Sequence, residues 1–141
     1  MDTLGEAPRR LVPRVRAGQA LSGLVVLFLL IDAGMKLAGL APAIEATVAL
    51  GYPAGAVMPL GAVLLAITLL YAWPRTAVLG AILLTGYLGG AVAAHLRAGS
   101  PIFTHMLFGV YLGVAAWGGL YLRDPRLRAL LLLRAASPRE G

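Results

Sequence analysis

The stretch TAVLGAILLTGYLGGAVAA, residues 76–94, decides the fold, because none of its 19 positions carries a charge. An α-helix needs about 20 apolar residues to cross the hydrocarbon core of a bilayer. Two more uncharged runs cover 46–73 and 106–122, and a fourth apolar stretch covers 19–40. The sequence therefore predicts an all-α protein built around a bundle of four transmembrane helices.

The overall composition points to the same class of protein. Of the 141 residues, 60% are hydrophobic and only 13% are charged, and the mean hydropathy is +0.84. A soluble domain of this length needs a more polar surface. The chain also has no cysteine, which excludes disulfides, thiolate metal sites and thiol relays.

The distribution of charge and apolar residues suggests three segments. We predict a basic cytoplasmic leader over 1–18, a membrane domain over 19–122 and a basic, amphipathic C-terminal tail over 123–141. The leader is expected to be extended or partly disordered, because Pro8 and Pro13 stand among its arginines. It does not resemble a cleavable signal peptide, so the first membrane helix is expected to be retained.

Two short helices are predicted outside the bilayer. Pro42 opens the segment AIEATVAL after the first span, and Gly51 ends it. Proline suits a first helical turn and glycine suits a helix end. This helix is too short to span, so we place it at the outer membrane surface. The second helix, RLRALLLLR, follows Asp124 and Pro125 and is amphipathic, which is typical of a helix lying in the bilayer interface.

The arginines predict the orientation in the membrane. The net charge is +6, and nine arginines flank the first and last spans. Arg75 lies in the turn between the second and third spans, whereas Arg97 is the only basic residue on the opposite side. Basic residues accumulate on the cytoplasmic side and attract anionic lipids. We therefore predict a multi-pass plasma-membrane protein with both termini in the cytoplasm, whose partner is the lipid bilayer and not nucleic acid.

The first span carries two charges within LIDAGMKLAG, residues 30–39. Asp32 and Lys36 are four residues apart and share one helix face. A charge at the bilayer centre costs about 2.5–3.5 kcal/mol on insertion scales, so such groups usually face the protein interior. A self-neutralising structural pair is the simpler interpretation, and a ligand or proton site is the alternative.

Alternating the direction of the spans brings most other polar groups to the same end of the bundle. We predict a polar pocket in the outer half, with no catalytic set and no nucleotide-binding loop. Two histidines with only Glu45 nearby are too few ligands to predict a metal site. The pocket candidates are Asp32, Lys36, Tyr87, His95, Arg97, His105 and Tyr111.

Small residues predict where the helices pack. Gly86 and Gly90 form a GxxxG pair in the third span, and Gly109 and Gly113 form another in the fourth. Close approach through small residues drives helix association in lipid. We expect these glycines to be packing surfaces, with the third span central, and to offer faces for a homo-oligomer.

Several segments resemble the DoxX-like membrane proteins: DAGMKL (32–37), ALGYP (49–53), PRTAVLGAILLTGYLGGAVAAHLRAG (74–99) and HMLFGVYLGVAAWGGLYLRDPRLRALL (105–131). The resemblance implies a small four-helix membrane bundle. Some members are described as subunits of a thiosulfate:quinone oxidoreductase, which implies quinone as a cofactor and redox subunits as partners.

The resemblance also extends to single positions. Lys36, His95, Arg97 and His105 match polar positions of the family. Many relatives carry a glutamate early in the second span, after PLG, near the place where this chain has Leu64.

Three hypotheses about function remain open at this point. The first is a non-catalytic membrane subunit of a quinone-linked redox complex. The alternative is a homo-oligomeric carrier or binder of a small amphipathic or anionic molecule. An enzyme acting on its own ranks last, because the sequence contains no recognisable set of acid, base and nucleophile.

Overall fold

The computed structural model describes residues 7–132, which are helical with short connections and contain no strand. A 3₁₀ turn (Ala54–Ala56) precedes the third helix, and a π-helical turn (Ile102–Met106) precedes the fifth. The prediction of an all-α chain is confirmed. The helices are α1 (Ala7–Leu37), α2 (Ala41–Ala49), α3 (Val57–Ala72), α4 (Ala77–Ala98), α5 (Phe108–Arg123) and α6 (Pro125–Leu132).

The four-helix transmembrane bundle is also confirmed. Within residues 7–132, four helical segments are long and apolar enough to cross a membrane: Val12–Leu37, Ala54–Ala72, Ala77–Ala98 and Ile102–Arg123. They form a ring in which α1 and α4 each pack against both α3 and α5. No span is central in such a ring, so the expectation of a central third span is wrong.

Helix α1 begins earlier than the sequence suggested. It runs from Ala7 through Pro13, so residues 7–18 are helical and not extended. A proline inside a helix keeps a helical φ but removes one backbone hydrogen bond and crowds the preceding turn, at a cost of about 3 kcal/mol. Close packing fixes this part of α1, because a Cβ at Gly18 would lie 2.8 Å from the carbonyl oxygen of Gly119. Residues 1–6 of the predicted leader lie outside the described residues.

The two short helices occur where they were predicted. Helix α2 has a proline at its start and lies between Gly39 and Gly51, whose φ angles are +63° and +87°. In α6, Leu127 is buried, whereas Leu130 and Leu131 are exposed. Exposed leucines beside arginines are consistent with a helix that lies in the membrane surface. The remainder of the predicted tail, 133–141, lies outside the described residues.

The glycine contacts differ from those expected. A Cβ at Gly61 would lie 2.7 Å from Cβ of Lys36, and one at Gly109 would lie 3.0 Å from Val92. Gly113 is half-buried, with Leu88 at 3.7 Å from its Cβ position. By contrast, a Cβ at Gly86 or Gly90 would meet nothing within 4 Å. Within this chain, the GxxxG pair of α4 therefore does not bring two helices together.

Candidate functional site

A cavity of about 550 Å³ lies inside the bundle at the end that carries α2. All four spans contribute to its walls, and α2 and the π-helical turn contribute at its end. Most of the lining is apolar, with Phe28, Leu64, Leu88 and Leu112 among the wall residues. We call this space the bundle cavity. A largely apolar cavity with a few polar groups is the usual form of a small-molecule site.

Five of the seven pocket candidates line the bundle cavity, namely Asp32, Lys36, Tyr87, His95 and His105. They come from α1, from α4 and from the π-helical turn that follows α4 directly. Asp32 and Lys36 on α1 therefore line the same cavity as Tyr87 and the two histidines.

The two charged residues of α1 form an ion pair. Lys36 Nζ donates to Asp32 Oδ1, one helical turn away. The lysine side chain is 16% exposed and the aspartate side chain is 36% exposed. The backbone of Gly61 on α3 packs against the stem of Lys36, which limits where the ammonium group can move. The formal charges of the pair cancel inside the cavity.

Tyr87 presents a weakly engaged hydroxyl to the cavity. Its ring is half-buried on α4, and its hydroxyl lies 3.5 Å from the carbonyl oxygen of Leu60. This distance is at the limit of a hydrogen bond. The hydroxyl is therefore free to donate to a ligand at little cost.

The two histidines form a pair at the α2 end of the cavity. Their ring centroids are 6.1 Å apart, with the planes tilted by 56°. His95 Nδ1 lies 3.0 Å from Ser100 Oγ, and His105 Nδ1 lies 2.8 Å from Thr104 Oγ1. These bonds orient both rings through Nδ1 and leave Nε2 as the nitrogen for a ligand.

Arg97 and Tyr111, the other two candidates, are not among the lining residues of the cavity. Arg97 reaches from the end of α4 to the α2–α3 connection, where Nη2 donates to the carbonyl oxygen of Leu50 at 3.0 Å. Its Cζ lies 5.9 Å from the centroid of the Tyr52 ring. Tyr111 lies on the outer surface of α5 and is 52% exposed.

Sequence reasoning missed the role of Gly86 and Gly90. Both line the bundle cavity, and the space that side chains would occupy there is open. The available signal was the density of small residues in α4. A high density of small residues indicates either close helix packing or an open space. Which of the two occurs depends on where the neighbouring helices lie.

The lining suits a hydrogen-bond acceptor better than a metal ion. Within residues 7–132, no three of His, Cys, Asp and Glu lie close enough together to hold a metal. Lys36 and Tyr87 carry hydrogen-bond donors, each histidine offers a ring nitrogen that donates or accepts according to its tautomer, and all four residues lie among apolar walls. The quinone that the family resemblance implies has carbonyl acceptors and an apolar ring, so it fits this set of residues.

A second, smaller groove of about 230 Å³ lies between α4 and α5. Gly89 and Gly113 leave space along it, and Trp117 Nε1 donates to Thr85 Oγ1 at 2.8 Å across it. Apart from this bond, its lining is apolar. This groove offers no donor set comparable with that of the bundle cavity.

One known protein family matches this chain over most of its length. The model of the DoxX-like family matches residues 20–119. The chain belongs to the DoxX-like family. The matched segment of this DoxX-like protein includes every residue that lines the bundle cavity. The comparison with curated proteins gave no match, and neither did the comparison with solved structures.

Proposed function

We propose that this DoxX-like protein binds a small amphipathic molecule in the bundle cavity, with a neutral head group that accepts hydrogen bonds. The observation that carries the proposal is a cavity of about 550 Å³ with apolar walls, whose lining includes Lys36, Tyr87, His95 and His105. The apolar part of the ligand would replace water or lipid against the walls, and the donors would fix its head group.

The ion pair favours a neutral head group over an anion. Lys36 already donates to Asp32, so an anion would have to compete with a carboxylate that cannot leave. Burying an anion without a free cation is costly, whereas a neutral acceptor requires only hydrogen bonds. A carbonyl compound therefore fits the cavity better than a carboxylate of similar size.

A quinone is the ligand class that this donor set and the family suggest together. If the ligand is a quinone, the protein serves as a non-catalytic membrane subunit of a quinone-linked redox complex. This role is a second candidate function, beside simple binding of the ligand. The chain has no cysteine for thiol redox chemistry, and in this function the redox group belongs to a partner subunit. The stand-alone alternative is a homo-oligomeric carrier that moves its ligand between the membrane surface and the cavity.

We also propose that the protein lies in the plasma membrane with both termini in the cytoplasm. Arg14, Arg16, Arg75 and Arg123 belong to the end opposite α2, whereas Arg97 belongs to the α2 end. This asymmetry is typical of a bundle whose α2 end faces outward. Reporter fusions at both termini test the orientation, and activity of a periplasmic or extracellular reporter there would contradict it.

The binding proposal is tested by filling the cavity. Gly90→Leu adds a side chain where a Cβ meets nothing within 4 Å, and leucine is a good helix former. Gly23→Leu is the matched control, because Gly23 is exposed and also has open space around it. The protein in lipid nanodiscs is titrated with ubiquinone-1 and, separately, with decanoate.

We expect saturable binding of the quinone, an at least tenfold weaker affinity in Gly90→Leu, and unchanged affinity in Gly23→Leu. Saturable binding of decanoate but not of the quinone would show that the head group is anionic and would overturn the charge argument. Equal affinities in all three proteins would show that the cavity is not the binding site.

A further inference from the structure

We infer that α2 is a lid over the bundle cavity and that Arg97 is the latch that holds it closed. This inference rests on the proposed function for the identity of the ligand but not for the movement itself. Helix α2 contributes lining residues at the end of the cavity, and Arg97 comes from α4, which forms part of the wall. The latch therefore joins the lid to the body of the bundle.

Two glycines bound the lid. Gly39 precedes α2 and Gly51 follows it, with φ angles of +63° and +87°. Both stand at helix ends in which the next residue bonds back across the turn, from Leu40 N to the Met35 oxygen and from Tyr52 N to the Thr47 oxygen. Glycine adopts these conformations without strain. Opening of the lid would break these two turn bonds, and the glycines leave the backbone on either side of α2 free of the steric limits that a Cβ imposes.

The face of α2 that lines the cavity makes few apolar contacts with the rest of the bundle. Ala43, Ala46 and Thr47 line the cavity along the helix with small side chains, and Pro42 and Leu50 line it at the two ends of the helix. Ala43 is 8% exposed and Thr47 is 5% exposed, so the face is covered, but it buries little apolar area. Hydrophobic stabilisation scales with buried apolar area. An element held by few apolar contacts opens more easily than the spans around it.

Arg97 supplies polar contacts between α4 and the C-terminal end of α2, where the small side chains of α2 make few contacts. Its guanidinium donates to the Leu50 carbonyl at the C-terminal end of α2, where backbone acceptors lack partners in the helix and a positive charge is favourable. It also lies against the ring of Tyr52, which lines the cavity. A Cβ at Gly51 would lie 3.1 Å from Nη2, so glycine there permits the close approach.

The absence of cysteine makes access to the cavity measurable. In the natural chain there is no thiol to react, so Ala91→Cys places a single thiol on the cavity lining in α4. Trimethylammonioethyl methanethiosulfonate is charged and does not partition into lipid. Its rate of reaction with this thiol in nanodiscs therefore reports how often the cavity is open to water.

We expect Arg97→Leu to raise the labelling rate of this thiol about tenfold, the change expected from a loss of about 1.4 kcal/mol. Arg97→Lys keeps the charge but loses the planar guanidinium group. The labelling rate in this variant should therefore lie between the rates with Arg97 and with Arg97→Leu. Tyr52→Leu removes the ring contact with Arg97 and shortens one side chain of the cavity wall but keeps the bond to the Leu50 carbonyl, so it should raise the rate by less than Arg97→Leu does. Unchanged rates in all three variants would overturn the lid inference.

Two controls make the result specific. Arg75→Leu removes an exposed arginine from the opposite end of the bundle and should leave the rate unchanged. Ala38→Cys places a thiol on an exposed position at the same end of the bundle, after α1 and away from the charge of Arg97 on α4, and its rate should not depend on Arg97. An equal increase at both thiols would indicate general loosening of the fold and would count against a lid. The measurement needs no ligand. A failure of the lid inference can therefore be distinguished from a failure of the proposed quinone binding.

Discussion

The hydroxyl of Tyr71 donates to the carbonyl oxygen of Ala116 at 2.6 Å, which ties α3 to α5 at the end of the bundle opposite α2. The same hydroxyl lies 3.1 Å from Ser22 Oγ on α1, and Tyr71 is fully buried. Arg123 Nη2 donates to the Tyr71 carbonyl at 3.1 Å. Three spans are therefore joined through one side chain at this end, whereas the other end encloses the bundle cavity.

Tyr71→Phe should lower the stability of the bundle without affecting the cavity. The substitution leaves Ser22 Oγ and the Ala116 oxygen without their partner, which costs about 1–2 kcal/mol when the groups are buried. We expect a lower thermal midpoint in nanodiscs and an unchanged affinity for ubiquinone-1. Tyr111→Phe is the matched control, because Tyr111 is exposed on the lipid-facing side. A midpoint lowered equally by both substitutions would contradict this role of Tyr71.

Gly80 and Gly86 of α4 should respond in opposite ways to the same substitution. A Cβ at Gly80 would collide with the backbone of Tyr71, whereas one at Gly86 would meet nothing within 4 Å. Overpacking a tight contact costs about 1–3 kcal/mol or more, and alanine is favoured over glycine in a helix by about 0.5–1 kcal/mol. Gly80→Ala should lower the thermal midpoint, and Gly86→Ala should leave it unchanged or raise it. The reverse order would show that the GxxxG pair packs after all.

The glycines also show how far the sequence alone can lead. Hydropathy predicts the spans, because a charge-free run of the right length has few alternatives to a membrane helix. It cannot predict which glycine faces a neighbour: the regular spacing of Gly86 and Gly90 suggested packing, yet Gly80 makes the close approach. That choice depends on the rotation of α4 within the ring. Pro13 similarly suggested an extended leader, whereas α1 continues through it and packs closely against α5 at Gly18.

The histidine pair should contribute to ligand affinity through Nε2. We expect His95→Phe and His105→Phe each to weaken the binding of ubiquinone-1 by about tenfold, the loss of roughly one hydrogen bond. Phenylalanine keeps the ring and the apolar contacts but donates no hydrogen bond. Ser100→Ala, which removes only the partner of His95 Nδ1, should have a smaller effect. Unchanged affinity in both phenylalanine variants would place the ligand head group away from this pair.

The Asp32–Lys36 pair can be assigned to structure or to ligand binding by a double-mutant cycle. Lys36→Met leaves the carboxylate without its partner, and Asp32→Asn leaves the ammonium group without its own. Each single variant should lose about 1–2 kcal/mol of stability, less than a fully buried pair would, since the aspartate side chain is 36% exposed. The double variant should regain most of this loss, because both charges are removed together.

Affinity for ubiquinone-1 should behave differently across the same cycle. If Lys36 donates to the ligand, the double variant binds the quinone as weakly as Lys36→Met, even though its stability has recovered. Thermal midpoints and quinone titrations of the four proteins check both quantities on the same samples. Recovery of affinity together with stability would show that the pair only holds α1 in place, and that Tyr87 and the histidines bind the head group without it.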